Sequence, residues 1–300
     1  MLEIKINENI DSRLDQYLSE ITEYSRSQIK NLISDKKITV NENFAKGSMN
    51  LKTGDIVKIE EPVLDELSAE AEEMDLDIVY EDDDVIVVNK ANGVVVHPAV
   101  GNNHGTLVNG LMYHSKNLSD INGEFRPGIV HRIDAYTTGL LVVAKNNFAH
   151  EFLAHQLEEK TTHRKYIALV WGVINNQTGT IDAPIGRDES DRKKMAVTAN
   201  NSKHAITHFK VLERFKNVTL IEVKLETGRT HQIRVHMNYI GHPVVNDPVY
   251  GNKKLIDNSG QCLHAKELGF VHPKTKEYVE FNSELPECFI NILNQFKEEE

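Results

Sequence analysis

The sequence predicts an α+β protein, in which a mixed, largely antiparallel sheet with a few helices is preceded by a small α/β unit. Three observations predict this. Strand-sized apolar runs outnumber helical patterns along the 300 residues, their connections are irregular, and one acidic stretch divides the chain. Between Glu60 and Asp84 there are thirteen Asp and Glu and no Lys or Arg. The expected boundaries are a leading unit at 1–62, a solvated acidic linker at 63–76 and a large unit at 77–300.

Taken in order, Leu14, Leu18 and Ile21 fall on one face of a first helix. Ser25 followed by Gln28 has the pattern of a capping box, opening a second helix whose inner face is Ile29, Leu32 and Ile33. Ile38-Thr39-Val40 is strand-like, Asn41-Glu42-Asn43 turns, and Thr53-Gly54-Asp55 turns again into a strand from Ile56 to Ile59. The second helix offers Arg26 and Lys30, and its exit adds Lys36 and Lys37. Together they make a small cationic face suited to phosphates.

Beyond the acidic stretch, Val85 to Val88 and Val94 to Val96 read as buried strands. Thr106 to Lys116 has helical spacing through Leu107, Leu111 and Met112. Leu140 to Ala144 is a strand, and Asn147 begins an amphipathic helix carrying Phe148, Phe152, Leu153 and Leu157. Tyr166 to Trp171 and Val218 to Leu225 are further strands.

Composition narrows the function. Hydrophobic residues at 40% and charged residues at 26% are ordinary globular values. The longest aliphatic runs fall far short of the ~20 residues that span a bilayer, and the N-terminus carries no apolar stretch of the signal-peptide kind. A cytoplasmic protein with no membrane partner is expected, and a monomer is the simplest state. Two cysteines, Cys262 and Cys288, do not make a disulfide framework. A net charge of −11 argues against a polyanionic partner, yet without the acidic stretch the remainder carries +2. Basic surfaces elsewhere therefore stay available.

The chemically informative segment is RPGIVHRIDAYTTGLLVVAK, Arg126 to Lys145. Ile129-Val130 leads into His131-Arg132-Ile133-Asp134, a polar loop follows, and Gly139 opens the next strand. An Asp and an Arg are thus presented between two rigid elements, the usual way to position reactive groups.

The H-R-I-D-x-x-T-T-G pattern resembles the signature of the RluA-type pseudouridine synthases. The resemblance extends through VYEDDDVIVVNKANGVVVHP (79–98), HRKYIALVWG (163–172), ETGRTHQIRVHMNYIGHPVVNDPVYG (226–251) and LHAKELGFVHPKTKEYVEF (263–281). The leader, with SRSQIKNLISDKKITVN and LKTGDIVKI, resembles the S4 RNA-binding domain, and the whole looks most like the S4-bearing ribosomal large-subunit type. The resemblance implies a synthase acting on structured RNA, with rRNA ahead of tRNA as partner.

It also implies roles. Asp134 takes the place of the catalytic aspartate, and Arg132 that of an arginine that holds the flipped-out nucleotide or fills the space it leaves. Tyr166 matches the tyrosine that stacks on the target base, and Arg234 the basic residue that pairs with the aspartate. These roles are chemically coherent. Isomerising uridine breaks N1–C1′, turns the uracil and rejoins it through C5, with no redox change, so no metal or organic cofactor is required. A carboxylate can serve as nucleophile or base, and a nearby guanidinium favours its charged form. The base must leave its stack to be reached, and an aromatic ring receives it.

The chain departs from the family pattern at Ala135-Tyr136, which bears on target choice and turnover, at Thr138, and at Ala91, which loses a rigid turn residue and little else. His131 and His231 are expected to be structural. Glycoside hydrolysis would need a second placed acid, and Cys262-Leu263-His264 lacks the ligand spacing of a zinc module. A catalytically silent RNA-binding or ribosome-assembly factor on the same scaffold is the rival of a different class.

Overall fold

The computed structural model describes residues 2–22, 24, 26–60, 69–99, 102–123, 126–191, 194–251 and 255–298. The chain divides into two compact units at 66/67.

The first unit comprises β1 (Leu2–Lys5), α1 (Leu14–Ile21), α2 (Arg26–Ser34), β2 (Ile38–Val40), β3 (Asn43–Phe44) and β4 (Ile56–Ile59). Its sheet runs β1-β4-β2-β3, antiparallel throughout. Asn41 and Glu42 both adopt positive φ, which suits a two-residue turn between β2 and β3. Leu14, Leu18, Ile29, Leu32, Val57 and Ile59 share one core. Ile21, expected on the inner face of α1, is exposed; it is the last residue of the helix, whose C-cap is Thr22. The capping box expected at Ser25 and Gln28 lies outside the described residues.

In the second unit, β5 (Ile78–Glu81), β6 (Val85–Lys90), α3 (Leu107–His114), β7 (Thr138–Ala144), α4 (Asn147–Glu158), β8 (His163–Trp171) and β9 (Thr178–Asp182) come first. β10 (Ile185–Arg187), β11 (Met195–Val197), β12 (Ile206–Arg214), β13 (Val218–Leu225), α5 (Gln232–Tyr239), β14 (Leu263–Val271), β15 (Tyr278–Asn282) and α6 (Glu287–Lys297) complete it. The main sheet runs β5-β6-β7-β14-β8-β13-β12-β9, with β15 added on β14; β10 and β11 form a separate hairpin. Only β7 and β14 pair in parallel among the described strands, so the sheet is mixed and largely antiparallel, as the sequence predicts.

Alternate residues of the same strands pack on opposite faces. Ile86, Val88, Leu141 and Val143 join α3 and α5 on one side. Val85, Val87, Leu140 and Val142 join α4 on the other. Burial on both faces explains why these strands are continuous apolar runs rather than alternating ones. Thr106 caps α3 in a capping box with Asn109, and Asn146 caps α4.

Two expectations need correction. Val94 to Val96 is not a strand. The Val95 and Val96 carbonyls accept from Leu107 and Val108 N–H at 2.8 and 3.0 Å, satisfying amides that the first turn of α3 cannot pair internally. The second concerns the acidic stretch. Its described part, from Ala69, packs on the second unit instead of forming a solvated linker. Ala69 is buried with Leu107 and Leu111, Asn109 Nδ2 donates to the Glu70 carbonyl at 2.7 Å, and Gly105 N–H donates to Glu72 Oε2 at 2.9 Å.

Candidate active site

Asp134 lies where the chain leaves a bridge between Ile129 and Val143 and turns into β7. Thr137 N–H donates to the Asp134 carbonyl at 3.0 Å, closing the turn. Each residue of the Thr-Thr-Gly that follows has a use. Gln261 Nε2 donates to Thr137 Oγ1 at 3.1 Å. Thr138 Oγ1 lies 2.8 Å from His264 Nδ1, whose other ring nitrogen is 3.0 Å from Ser283 Oγ. Gly139 pairs in parallel with Ala265 at φ +106°. A Cβ there would be strained and would overlap the Ala265 carbonyl oxygen.

Lys90, at the end of β6 and 2% exposed, ties the turn to a neighbouring strand. Its ammonium donates to the Ala91 and Ala135 carbonyls at 2.8 and 2.7 Å. Burial pulls the Lys90 pKa down to about 7, and the charge of Asp134 opposes that fall. These bonds use backbone oxygens, so the departure at Ala135 costs the turn nothing. Thr138 supplies a hydroxyl as serine would.

Arg234 comes from α5, where its side chain is almost wholly buried. Nη1 donates to Asp134 Oδ2 at 2.8 Å; Nε and Nη2 form a fork on Asp247 at 2.7 and 2.8 Å. The guanidinium therefore joins two carboxylates in charge-assisted bonds. Asp247 is fixed in turn by the N–H groups of Val249 and Tyr250 at 2.8 and 3.0 Å. Burial raises the Asp247 pKa, but Arg234 and those amides outweigh it and hold the carboxyl below its usual range. Burial also works against the charge of Arg234, and the two aspartates more than reverse that, moving it up.

His231 precedes α5 in a left-handed conformation, φ +57°. Its Nδ1 lies 2.7 Å from the Tyr250 hydroxyl, and that hydroxyl already accepts Met195 N–H at 2.9 Å. His231 Nε2 lies 3.9 Å from Asp134 Oδ1. Burial lowers the His231 pKa against the pull of Asp134, so the ring is neutral. His131 Nε2 accepts Val142 N–H at 3.2 Å.

These groups open on a cleft of ≈ 420 Å³ lined by Arg132, Asp134, Arg164, Tyr166, Arg229 and Arg234 among others. Tyr166, from β8, is buried in its wall. Burial raises the phenol pKa and Asp134 adds to this against Arg164, so the ring is a neutral, largely apolar surface. Arg132 is exposed at the edge. Asp134, Tyr166, Arg234 and Arg132 thus converge. Sequence reasoning missed Asp247, Tyr250 and Lys90, although Asp247 and Tyr250 stand in the VVNDPVYG segment and Lys90 in VNKANG.

The four basic residues expected on the first unit are less uniform. Arg26 Nε donates to the buried Asp15 at 3.3 Å, and Lys30 Nζ is 4.0 Å from the same carboxylate. Arg13, not anticipated, makes a third approach at 3.0 Å. Lys37 pairs with Glu60 at 2.9 Å. Lys36 lies 5.4 Å from the centre of the exposed Phe44 ring.

The site is thus a carboxylate bonded to a buried guanidinium, in a cleft whose lining includes Arg132, Arg164, Arg229 and Arg234. Comparison with known proteins gives the class. Residues 84–239 match the RNA pseudouridylate synthase model and residues 12–57 the S4 domain; the chain belongs to the RNA pseudouridylate synthase family. It is 54% identical to an uncharacterized RNA pseudouridine synthase of Bacillus subtilis, over 97% of this chain and 96% of that protein. It is 43% identical to the ribosomal large subunit pseudouridine synthase D of Zymomonas mobilis, over 93% and 92%. Among solved structures, the human RNA pseudouridylate synthase domain containing 1 matches with a TM-score of 0.58 at 28% identity, covering 74% of this chain and 95% of that one. The chain is an RNA pseudouridine synthase with an S4 RNA-binding domain. Among the described residues no helix is long and apolar enough to cross a membrane.

Proposed function

We propose that this synthase modifies uridines of large-subunit ribosomal RNA in the cytoplasm, with Asp134 as its catalytic carboxylate. The target class follows the similarity to the Zymomonas mobilis enzyme, whose name specifies the large ribosomal subunit. The observation that carries the site assignment is the Arg234 bridge, which orients one oxygen of Asp134 at 2.8 Å and is itself held by Asp247. Among the described residues, the second carboxylate oxygen has only His231 Nε2 nearby, at 3.9 Å, and in this reading it faces the nucleotide.

In this reading Arg132 occupies or flanks the gap left when the uridine swings out, and Tyr166 receives the base against a neutral ring, a contact worth about 1–3 kcal/mol. Asp134 acts at the ribosyl–uracil linkage. N1–C1′ breaks, the uracil turns within the cleft, C5–C1′ forms, and the C5 proton leaves while N1 gains one. Arg26, Lys30, Lys36 and Lys37 contribute a phosphate-facing surface on the S4 unit.

The test is release of tritium from pseudouridine-free large-subunit rRNA carrying 5-tritiated uridine. The wild-type chain releases it and Asp134→Asn does not, while both bind the RNA. Binding without release by the wild type would favour a silent assembly factor; release from tRNA alone would overturn the rRNA assignment.

A further inference from the structure

A second cleft of ≈ 480 Å³ lies beside the active one and shares Val130, His131 and Arg132 with it. Its remaining walls include His97, Asn122 and Arg126. No acidic side chain is among these described lining residues. Arg126 and Arg132 are exposed, and neither has a carboxylate partner among the described residues, whereas Arg13, Arg26 and Arg234 all contact an aspartate. His97 is 5% exposed, and its Nδ1 has no hydrogen-bond partner among the described residues. Burial, together with the charges of Arg126 and Arg132, pushes its pKa down to about 4. The imidazole is therefore neutral, and the charged side chains among the described lining residues are the two arginines.

We propose that the cleft between His97, Arg126 and Arg132 binds a backbone phosphate of the RNA strand adjoining the nucleotide held in the active cleft. Arg132 stands on the wall common to both spaces, so a strand with one nucleoside in the first places a neighbouring linkage near the second. Phosphodiesters are the anions that such a strand supplies, and unpaired guanidinium groups are well matched to them. Arg126 acts in ground-state binding and touches neither Asp134 nor Tyr166. Asn122 is already engaged, donating to the Ile129 carbonyl at 2.9 Å, and braces the wall.

This inference rests on the RNA reading above, and its test separates the two. The first probe is oligouridylate, whose binding needs no turnover. With the full chain, the His97 imidazole resonances titrate at a higher pH when oligouridylate is bound, because a phosphate offsets the two arginine charges. Arg126→Gln weakens oligouridylate binding roughly tenfold and lowers the slope of log affinity against log salt by about 0.7; Arg126→Lys restores most of both. With tritiated rRNA, Arg126→Gln raises KM by a similar factor and leaves kcat within about twofold. An unchanged His97 titration, an unchanged salt slope, or a loss confined to kcat would overturn the phosphate site. Failure of the wild type to turn over any RNA would instead sink the synthase assignment and leave the oligouridylate result standing.

Discussion

Asp134 is held by a chain of commitments rather than by one neighbour. Arg234 grips it, Asp247 grips Arg234, and two backbone amides grip Asp247. The Arg234 guanidinium is thereby spent on two of the chain's own carboxylates. Replacing Asp247 by Asn keeps the shape and removes the charge that anchors the fork. Because a buried ionic partner is lost, stability falls by about 3 kcal/mol; because Asp134 is no longer aimed, kcat falls roughly a hundredfold. KM stays near its wild-type value, since Asp247 is buried and is not among the residues lining the cleft. Thermal melting and a kcat/KM split check both parts. Unaltered kcat would show that Asp247 serves stability alone.

At the scale of elements, the parallel contact between β7 and β14 sets the turn that carries Asp134. His264 is its polar rivet, lying against Thr138 on one side and Ser283 on the other. Burial depresses its pKa to about 4, against ~6.5 in an unfolded chain. Between those values the unfolded chain takes up the proton that the folded one refuses. The resulting stability is complete above pH 6.5 and is lost as pH falls through 4. The melting temperature should drop between pH 7 and pH 4.5, and the drop should be smaller in His264→Gln; equal pH slopes in the two proteins would contradict the assignment.

What could be read from the sequence follows the same division of scale. Strands buried on both faces declare themselves as uninterrupted aliphatic runs, so β6 and β7 were evident from Val85 to Val88 and Leu140 to Ala144. Val94 to Val96 has the same composition but spends its carbonyls on the amides of α3, a tertiary use that local pattern does not reveal. Asp134, Tyr166, Arg132 and Arg234 were nominated because they sit in recognisable blocks; taken singly, none has a distinctive local signal. Asp247 escaped because its role depends on reaching a guanidinium thirteen residues away across a turn. Lys90 escaped because a buried ammonium capping two carbonyls looks, in sequence, like any lysine at a strand end.

For the whole molecule, the two units own separate cores, and removing residues 1–66 should leave the larger one melting cooperatively. Such a truncated chain keeps tritium release from short single strands, binds structured rRNA more weakly, and shows a shallower salt dependence as the S4 phosphate contacts disappear. Unchanged affinity and salt dependence would remove the S4 unit from RNA recognition.

The order in which the sheet is assembled has a consequence for the life of the protein. β14, the strand at the centre of the sheet, which holds the Asp134 turn and borders Tyr166, begins only at Leu263. During synthesis the chain presents its S4 unit first and its middle strand almost last. A growing polypeptide therefore completes its S4 unit well before the sheet that carries Asp134 can close.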